Sequence, residues 1–145
     1  MADYKMTPRG RQRLTDREGK RLKAYRDSKG IWTIGVGHAA TAGTAPVPKK
    51  GMTITAEECD EILIRDLALR EKRLNKALKV PVADHEFDAL LSIVFNADSF
   101  LTSTAIKLLN KGDREGCAKH IMDWVKPKEL TGRRHTEQSQ FLTPY

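Results

Sequence analysis

The chain has only two cysteines in 145 residues, Cys59 and Cys117, and no C-x-x-C pair. This argues against a zinc framework. Both cysteines fall in segments that read as helix, where a buried free thiol is the ordinary state; a disulfide between them stays open. No apolar run is long enough for a membrane-spanning helix. The opening Met1-Ala2-Asp3-Tyr4-Lys5-Met6 leads into Thr7-Pro8-Arg9-Gly10-Arg11 without the apolar core of an export signal. The product is therefore expected to accumulate in the cytoplasm where it is made. There is no internal repeat and no long low-complexity segment, so a solenoid or a disordered tail is not indicated.

What is abundant is charge. Lys and Arg number 26 against 19 Asp and Glu, a net charge of +7, with 31% of residues charged and 39% apolar. A basic surface favours polyanionic partners: nucleic acid, anionic lipid or an anionic cell envelope. Charge alone fits a solvated surface without a specific partner equally well. The length suits one compact domain, or two small lobes sharing a helix.

Local signals divide the chain into a small β-rich part and a helical part. Thr7-Pro8 reads as an N-cap with proline at the first helical position, opening a short polar helix to about Arg17. Asp27-Ser28-Lys29-Gly30 is turn chemistry. Ile31 to His38 is rich in β-branched and aromatic residues and reads as a strand returning from that turn. Gly35 and Gly37 would then share one strand face, open to close approach, unless they serve a tight bend. Residues 41–53 read as a loop. Thr55 and Glu58 form a capping box ahead of a long helix expected to run to Leu78.

Past Pro81 the pattern is helical throughout. Phe87, Leu90, Leu91, Val94 and Phe95 make one apolar helical face. Ser103-Thr104 opens a helix through Leu109, closed by Asn110-Lys111-Gly112. Asp113 caps the next, which is expected to carry Ala118, Ile121, Met122 and Val125 and to end before Pro127. A last short helix is expected from Leu130 to Leu142.

The chemistry-bearing stretch is Glu18 to His38. Glu18 closes the first helix, Asp27 enters the hairpin turn, and Thr33 lies on the returning strand. If the hairpin folds back, Asp27 and Thr33 come within reach of one another. Glycoside hydrolysis needs such a set: one carboxyl protonated to give a proton to the departing sugar oxygen, the other ionised to activate water or stabilise oxocarbenium-like charge. The two must sit in different environments. A threonine hydroxyl can orient the attacking water. Taken in isolation, one Glu and one Asp among 19 acids would be surface charges.

The full pattern is more specific. Glu18-Gly19, Arg21-Leu22, Tyr25-x-Asp27 and Gly30-x-Trp32-Thr33-Ile34-Gly35-x-Gly37-His38, with Asp27 nine residues after Glu18 and Thr33 six after Asp27, resembles the phage-type lysozymes, or endolysins, of glycoside hydrolase family 24. Phe87-Asp88-Ala89-Leu90, Phe95-Asn96, Ser103-Thr104, Leu109-Asn110-x-Gly112-Asp113, Trp124 and Leu130-x-x-Arg133-Arg134-x-x-Glu137 extend the likeness from about residue 7 to residue 142. Two positions depart from it. Asp98 and Glu129 stand where the family often has glycine, which bears on loop shape and sugar contacts.

The resemblance implies an α+β, mostly helical lysozyme-like fold acting as one catalytic domain over residues 1–145. It implies a small β-hairpin lobe at about 18–55, joined by a long helix to a helical lobe at 80–145 on which the first helix packs. It implies a muramidase, with Glu18 as general acid and Asp27 with Thr33 holding the water, and hydrolysis by inversion. Phe95 and Asn96 are expected to line the sugar cleft. His38 is expected in a structural, hydrogen-bonded role, and Arg133 or Arg134 beside Glu18. No metal or cofactor is implied. Peptidoglycan is the expected substrate, and a holin the expected partner for release from the host cytoplasm to the wall. A monomer is expected. Two other readings stay open, a lytic transglycosylase and a basic nucleic-acid-binding phage protein. The second lacks a zinc-finger, RNA-recognition or helix-turn-helix signature.

Overall fold

A computed structural model describes residues 3–145; Met1 and Ala2, the head of the segment read as lacking an export signal, lie outside the described residues. The elements follow as α1 (Pro8–Glu18), β1 (Arg21–Arg26), β2 (Trp32–Gly35), β3 (His38–Ala39), α2 (Ala56–Ala77), α3 (Asp84–Asn96), α4 (Thr104–Asn110), α5 (Arg114–Ile121) and α6 (Thr131–Leu142). This is the mostly helical α+β class expected. The described residues fall into two compact units, Gln12–Leu69 and the remainder, with the divisions inside α1 and α2. No helix among the described residues is long and apolar enough to cross a membrane.

The unit of Gln12–Leu69 holds a three-stranded antiparallel sheet in the order β1-β2-β3. Tyr25 stands opposite Thr33 and Arg26 opposite Trp32, with an irregularity between Arg21 and Tyr25. On its other edge β1 meets the chain beyond the loop, through Ala24 N–H to the Met52 carbonyl at 2.9 Å and Ile54 N–H to the Leu22 carbonyl at 2.8 Å. The Thr55 capping box forms: the Glu58 carboxylate accepts from Thr55 N–H at 2.9 Å, and Thr55 Oγ1 accepts from Glu58 N–H at 3.1 Å. Cys59, Ile62, Leu63 and Leu67 follow as the buried face of α2 in this unit.

The strand expected from Ile31 to His38 is broken. β2 stops at Gly35, Val36 and Gly37 turn, and β3 returns. Gly35 and Gly37 have φ of +67° and +68°, the left-handed region where only glycine is free of Cβ strain. They serve the bend and do not open a strand face. A Cβ on Gly35 would also sit 3.4 Å from Cys59 Sγ.

In the other unit, α3 is buried on every side from Glu86 to Val94. It packs against α6, and α4 packs against α5. A helix apolar only on one face would leave the other in water. Here the second face carries polar side chains that are all partnered. Glu86 accepts from Ala83 N–H and from Arg114 Nε, each at 2.8 Å. Ser92 donates to Glu137 at 2.6 Å. Asp88 accepts from Thr7 N–H at 2.9 Å and from the Tyr145 hydroxyl at 2.7 Å, and Thr7 Oγ1 donates to it as well. Thr7 Oγ1 also caps α1 by accepting from Gly10 N–H at 3.0 Å. Gly10 packs so close that a Cβ there would meet the Asp88 carboxylate at 2.4 Å.

The helix begun at Asp113 ends at Ile121, short of the expected Met122 and Val125. Beyond it the backbone tightens, with Met122 N–H on the Lys119 carbonyl and Asp123 N–H on the His120 carbonyl, each at 3.2 Å. Trp124 N–H bonds the Ile121 carbonyl in a tighter turn at 3.2 Å, and its ring meets Phe100 edge-on at 5.5 Å between centroids. Both cysteines are free and buried, and burial pushes the Cys117 thiol up to about 12. At the departures from the family pattern, Asp98 opens a short 3-10 turn (Asp98–Thr102) and lies 3.5 Å from Arg73, while Glu129 sits inside a second (Lys128–Leu130).

Burial raises the Asp88 carboxyl above its ordinary value of 3.8, outweighing the hydrogen bonds from Thr7 and Tyr145, which act the other way. The fold thus favours the protonated acid. Its contribution to stability is full below the unfolded-state value and declines as pH rises toward the folded-state value, then levels off once both states are ionised. Asp88→Asn keeps an acceptor for Thr7 N–H and loses the titration. The variant's Tm is expected to gain on the parent's as pH rises above about 4, read by thermal melts across a pH series. Parallel curves for the two proteins would exclude Asp88 as a source of the pH dependence.

Candidate active site

Glu18 is the last residue of α1 and is half-buried. Gly19, at φ +83°, ends the helix behind it, its N–H bonding the Thr15 carbonyl at 2.8 Å. That is the usual glycine stop, in which a left-handed residue satisfies a last carbonyl. β1 starts two residues further on, so the helix end and the hairpin are coupled by a very short connection.

Asp27 builds the hairpin turn. Its Oδ1 accepts from Lys29 N–H at 2.8 Å and Ile31 N–H at 2.9 Å, and its own N–H donates to the Ile31 carbonyl at 2.9 Å. Such side-chain to backbone bonds are why aspartate favours turns. Oδ2 takes no hydrogen bond from the described residues. Thr33 is buried and its hydroxyl donates to the Ile31 carbonyl at 3.0 Å. With that proton committed, the lone pairs of Thr33 Oγ1 can only accept.

The register relates the two along the chain. Thr33 is opposite Tyr25, and Asp27 is two residues beyond Tyr25. Asp27 lies just past the end of β1, at the turn into β2, so one hairpin carries both side chains. All three expected catalytic residues belong to the same unit.

His38 is buried and hydrogen-bonded at both ring nitrogens. Nε2 donates to the Pro46 carbonyl at 2.7 Å, and Nδ1 pairs with Asp66 Oδ2 at 2.6 Å. Asp66, on α2, also accepts from Thr44 Oγ1 at 3.0 Å. His38 and Asp66 together clasp the loop after β3 to α2. Asp66 was not singled out in the sequence; an acid in the middle of a helix carries no local signal of a partner so distant in the chain.

The remaining expected residues gather in the other unit. Phe95 is half-buried with the Arg70 guanidinium 4.7 Å from its ring centroid. Asn96 is exposed at the end of α3, and its Oδ1 accepts from Arg134 Nη2. Arg134 and Glu137 are fully buried and paired at 2.7 Å. Arg133 Nε donates to the same carboxylate at 3.1 Å, and Arg133 Nη2 to the Ser92 carbonyl at 3.1 Å. Glu137 was quoted in the sequence pattern without a role. Its spacing of four and three residues from Arg133 and Arg134 is the helical pairing distance that could have suggested one. Among the described residues no cluster of three or more His, Cys, Asp or Glu side chains is placed to hold a metal ion.

Residues 15–137 match the model of the phage lysozyme family. The chain is 40% identical over 140 residues to the endolysin of Salmonella phage P22, covering 92% of this chain and 95% of that one. It is 34% identical over 132 residues to a SAR-endolysin of bacteriophage PS119, covering 86% and 76%. A crystal structure of a P22 lysozyme mutant superposes with a TM-score of 0.88 at 38% identity, covering 97% of this chain and 99% of that one.

The contacts of His38 define a test of its role. His38→Leu removes both ring nitrogens and leaves Asp66 Oδ2 and the Pro46 carbonyl facing an apolar group. Leaving buried hydrogen-bonding groups without their partner costs about 1–3 kcal/mol each. The variant is expected to unfold at lower denaturant by that margin while keeping most of its turnover per folded molecule. A fully stable, inactive variant would instead make His38 catalytic.

Proposed function

Because the chain belongs to the phage lysozyme family, we propose that Glu18, Asp27 and Thr33 are the groups with which it hydrolyses peptidoglycan. The protein is a lysozyme-type glycosidase, an endolysin of host lysis. The bond cut is the β-1,4 linkage between N-acetylmuramic acid and N-acetylglucosamine, and residues 1–145 act as one catalytic domain.

Glu18 is the general acid that protonates the departing sugar oxygen. Asp27 and Thr33 hold the water. Asp27 Oδ2 and Thr33 Oγ1 are both left as acceptors, because the turn occupies Oδ1 and the Ile31 carbonyl takes the threonine proton. A water between them donates both its hydrogens, which turns its lone pairs toward the anomeric carbon. As that carbon is attacked, Asp27 takes the proton the water sheds. Water entering opposite the leaving group inverts the configuration. The observation that carries this reading is the pair of acceptors that one hairpin keeps, at the family's spacing from a helix-terminal glutamate. Phe95 and Asn96 bind the glycan, an apolar face and an amide suiting a saccharide. The net charge of +7 suits an anionic envelope.

The enzyme is a monomer that waits in the host cytoplasm and reaches the wall after a holin opens the membrane. The family and the relatives lend no support to a transglycosylase or a nucleic-acid-binding protein.

Glu18→Gln is expected to fold and to lose lysis, at least the hundred- to ten-thousand-fold typical of about one general acid. The assay is turbidity loss with purified peptidoglycan beside the parent, with product masses, since hydrolysis adds a water and transglycosylation does not. Full activity in a folded variant would remove the assignment. Thr33→Ala is expected to lower kcat more than it raises KM, because water is positioned only for reaction. A raised KM at unchanged kcat would make Thr33 a sugar contact.

A further inference from the structure

One exposed amide in this protein has its direction imposed from below. The Arg134 guanidinium is 1% exposed; its Nη1 donates to Glu137 Oε1 at 2.7 Å and its Nη2 to Asn96 Oδ1. A guanidinium has donors and no acceptor. The Asn96 atom that faces it is therefore the oxygen, and a flipped amide would set N–H against N–H. The Nδ2 hydrogens point away from Arg134, and they reach no acceptor among the described residues. Asn96 is itself exposed.

Arg134 has little freedom to let go. Glu137 is fully buried, and its Oε2 is held by Ser92 Oγ at 2.6 Å and Arg133 Nε at 3.1 Å. Ser92 lies one turn before Asn96 on α3, so the carboxylate that anchors Arg134 is fixed to the helix whose end carries the amide. Carbonyl side in and N–H side out is thus a property of the α3–α6 pairing, not of a freely turning asparagine.

We infer that Arg134, anchored by Glu137, is a positioning residue that presents the Asn96 amide to substrate as a fixed N–H donor for an amide carbonyl oxygen. The inference rests on Asn96 being a substrate contact. An asparagine free to rotate offers oxygen or nitrogen alike; a pinned one selects acceptors and loses less freedom on binding. Peptidoglycan carries amide carbonyls in two places, the acetamido groups of its sugars and the peptide bonds of its stems.

Asn96→Asp separates the two sides of the amide. It keeps an oxygen toward Arg134 and replaces the outward donor by an acceptor. It is expected to melt no lower than the parent and to raise KM for purified peptidoglycan about 3- to 10-fold, with kcat changing less. Asn96→Ala is expected to raise KM similarly but to melt lower, since Arg134 loses its acceptor. A raised KM in Asn96→Ala with an unchanged one in Asn96→Asp would overturn the donor role while leaving the contact. Unchanged KM in both would overturn the contact as well, and with it the inference. On glycan strands stripped of stem peptides, a retained effect assigns the carbonyl to an acetamido group; an effect confined to intact peptidoglycan assigns it to the stem.

The part played by Arg134 is read by a double-mutant cycle. Arg134→Met, or Arg134→Lys if the first does not fold, releases the amide and is expected to raise KM in the parent but not in the Asn96→Ala background. An equal rise in both backgrounds would overturn the positioning role.

Discussion

A helix buried on all sides must find a partner for every polar group it carries, and the helical unit is organised by that constraint on α3. Glu86, Asp88 and Ser92 lie among apolar side chains, where an unpaired polar group costs more than its hydrogen bond returns in water. Each draws in a different part of the chain. Asp88 binds Thr7 near one end of the chain and Tyr145 at the other. Glu86 binds Arg114 at the start of α5. Ser92 binds Glu137 on α6. Apolar burial supplies the drive to pack this helix; the polar partners select which segments pack on it and in what register.

The hairpin unit obeys the same economy at smaller scale. Asp27 shapes the turn with one oxygen and keeps the other, and Thr33 gives its proton to a carbonyl two residues back while keeping its lone pairs. Both groups are fixed by local backbone bonds before any substrate arrives, which limits the reorganisation left for the reaction. His38 and Asp66 hold the loop beyond β3 against α2. The sheet is thus tied on one side by its own turn and on the other by a buried pair.

Much of this was legible from residue order. Caps at Thr7, Thr55, Ser103 and Asp113 work through bonds spanning three residues, so their chemistry is visible in any short window. The Glu18, Asp27 and Thr33 spacing is equally local, because one hairpin carries the last two and the helix end before it carries the first. Two readings failed where local signals compete. β-branched content from Ile31 to His38 suggested one strand, but two glycines at positive φ bend it. Apolar periodicity carried the fifth helix past Ile121, but from Met122 the chain turns more tightly and Trp124 packs on Phe100.

By itself the sequence determined the hairpin, its turn and the spacing of the three side chains proposed as catalytic, since hydrogen bonds a few residues long enforce the hairpin and its turn. Only the tertiary structure decided that the two arginines on α6 would be anchored by one buried carboxylate, with one of them set against the amide of Asn96. The reason is distance along the chain. Arg134 and Asn96 lie 38 residues apart and Ser92 and Glu137 45, and such contacts exist only once α3 and α6 have packed and removed water from the groups between them.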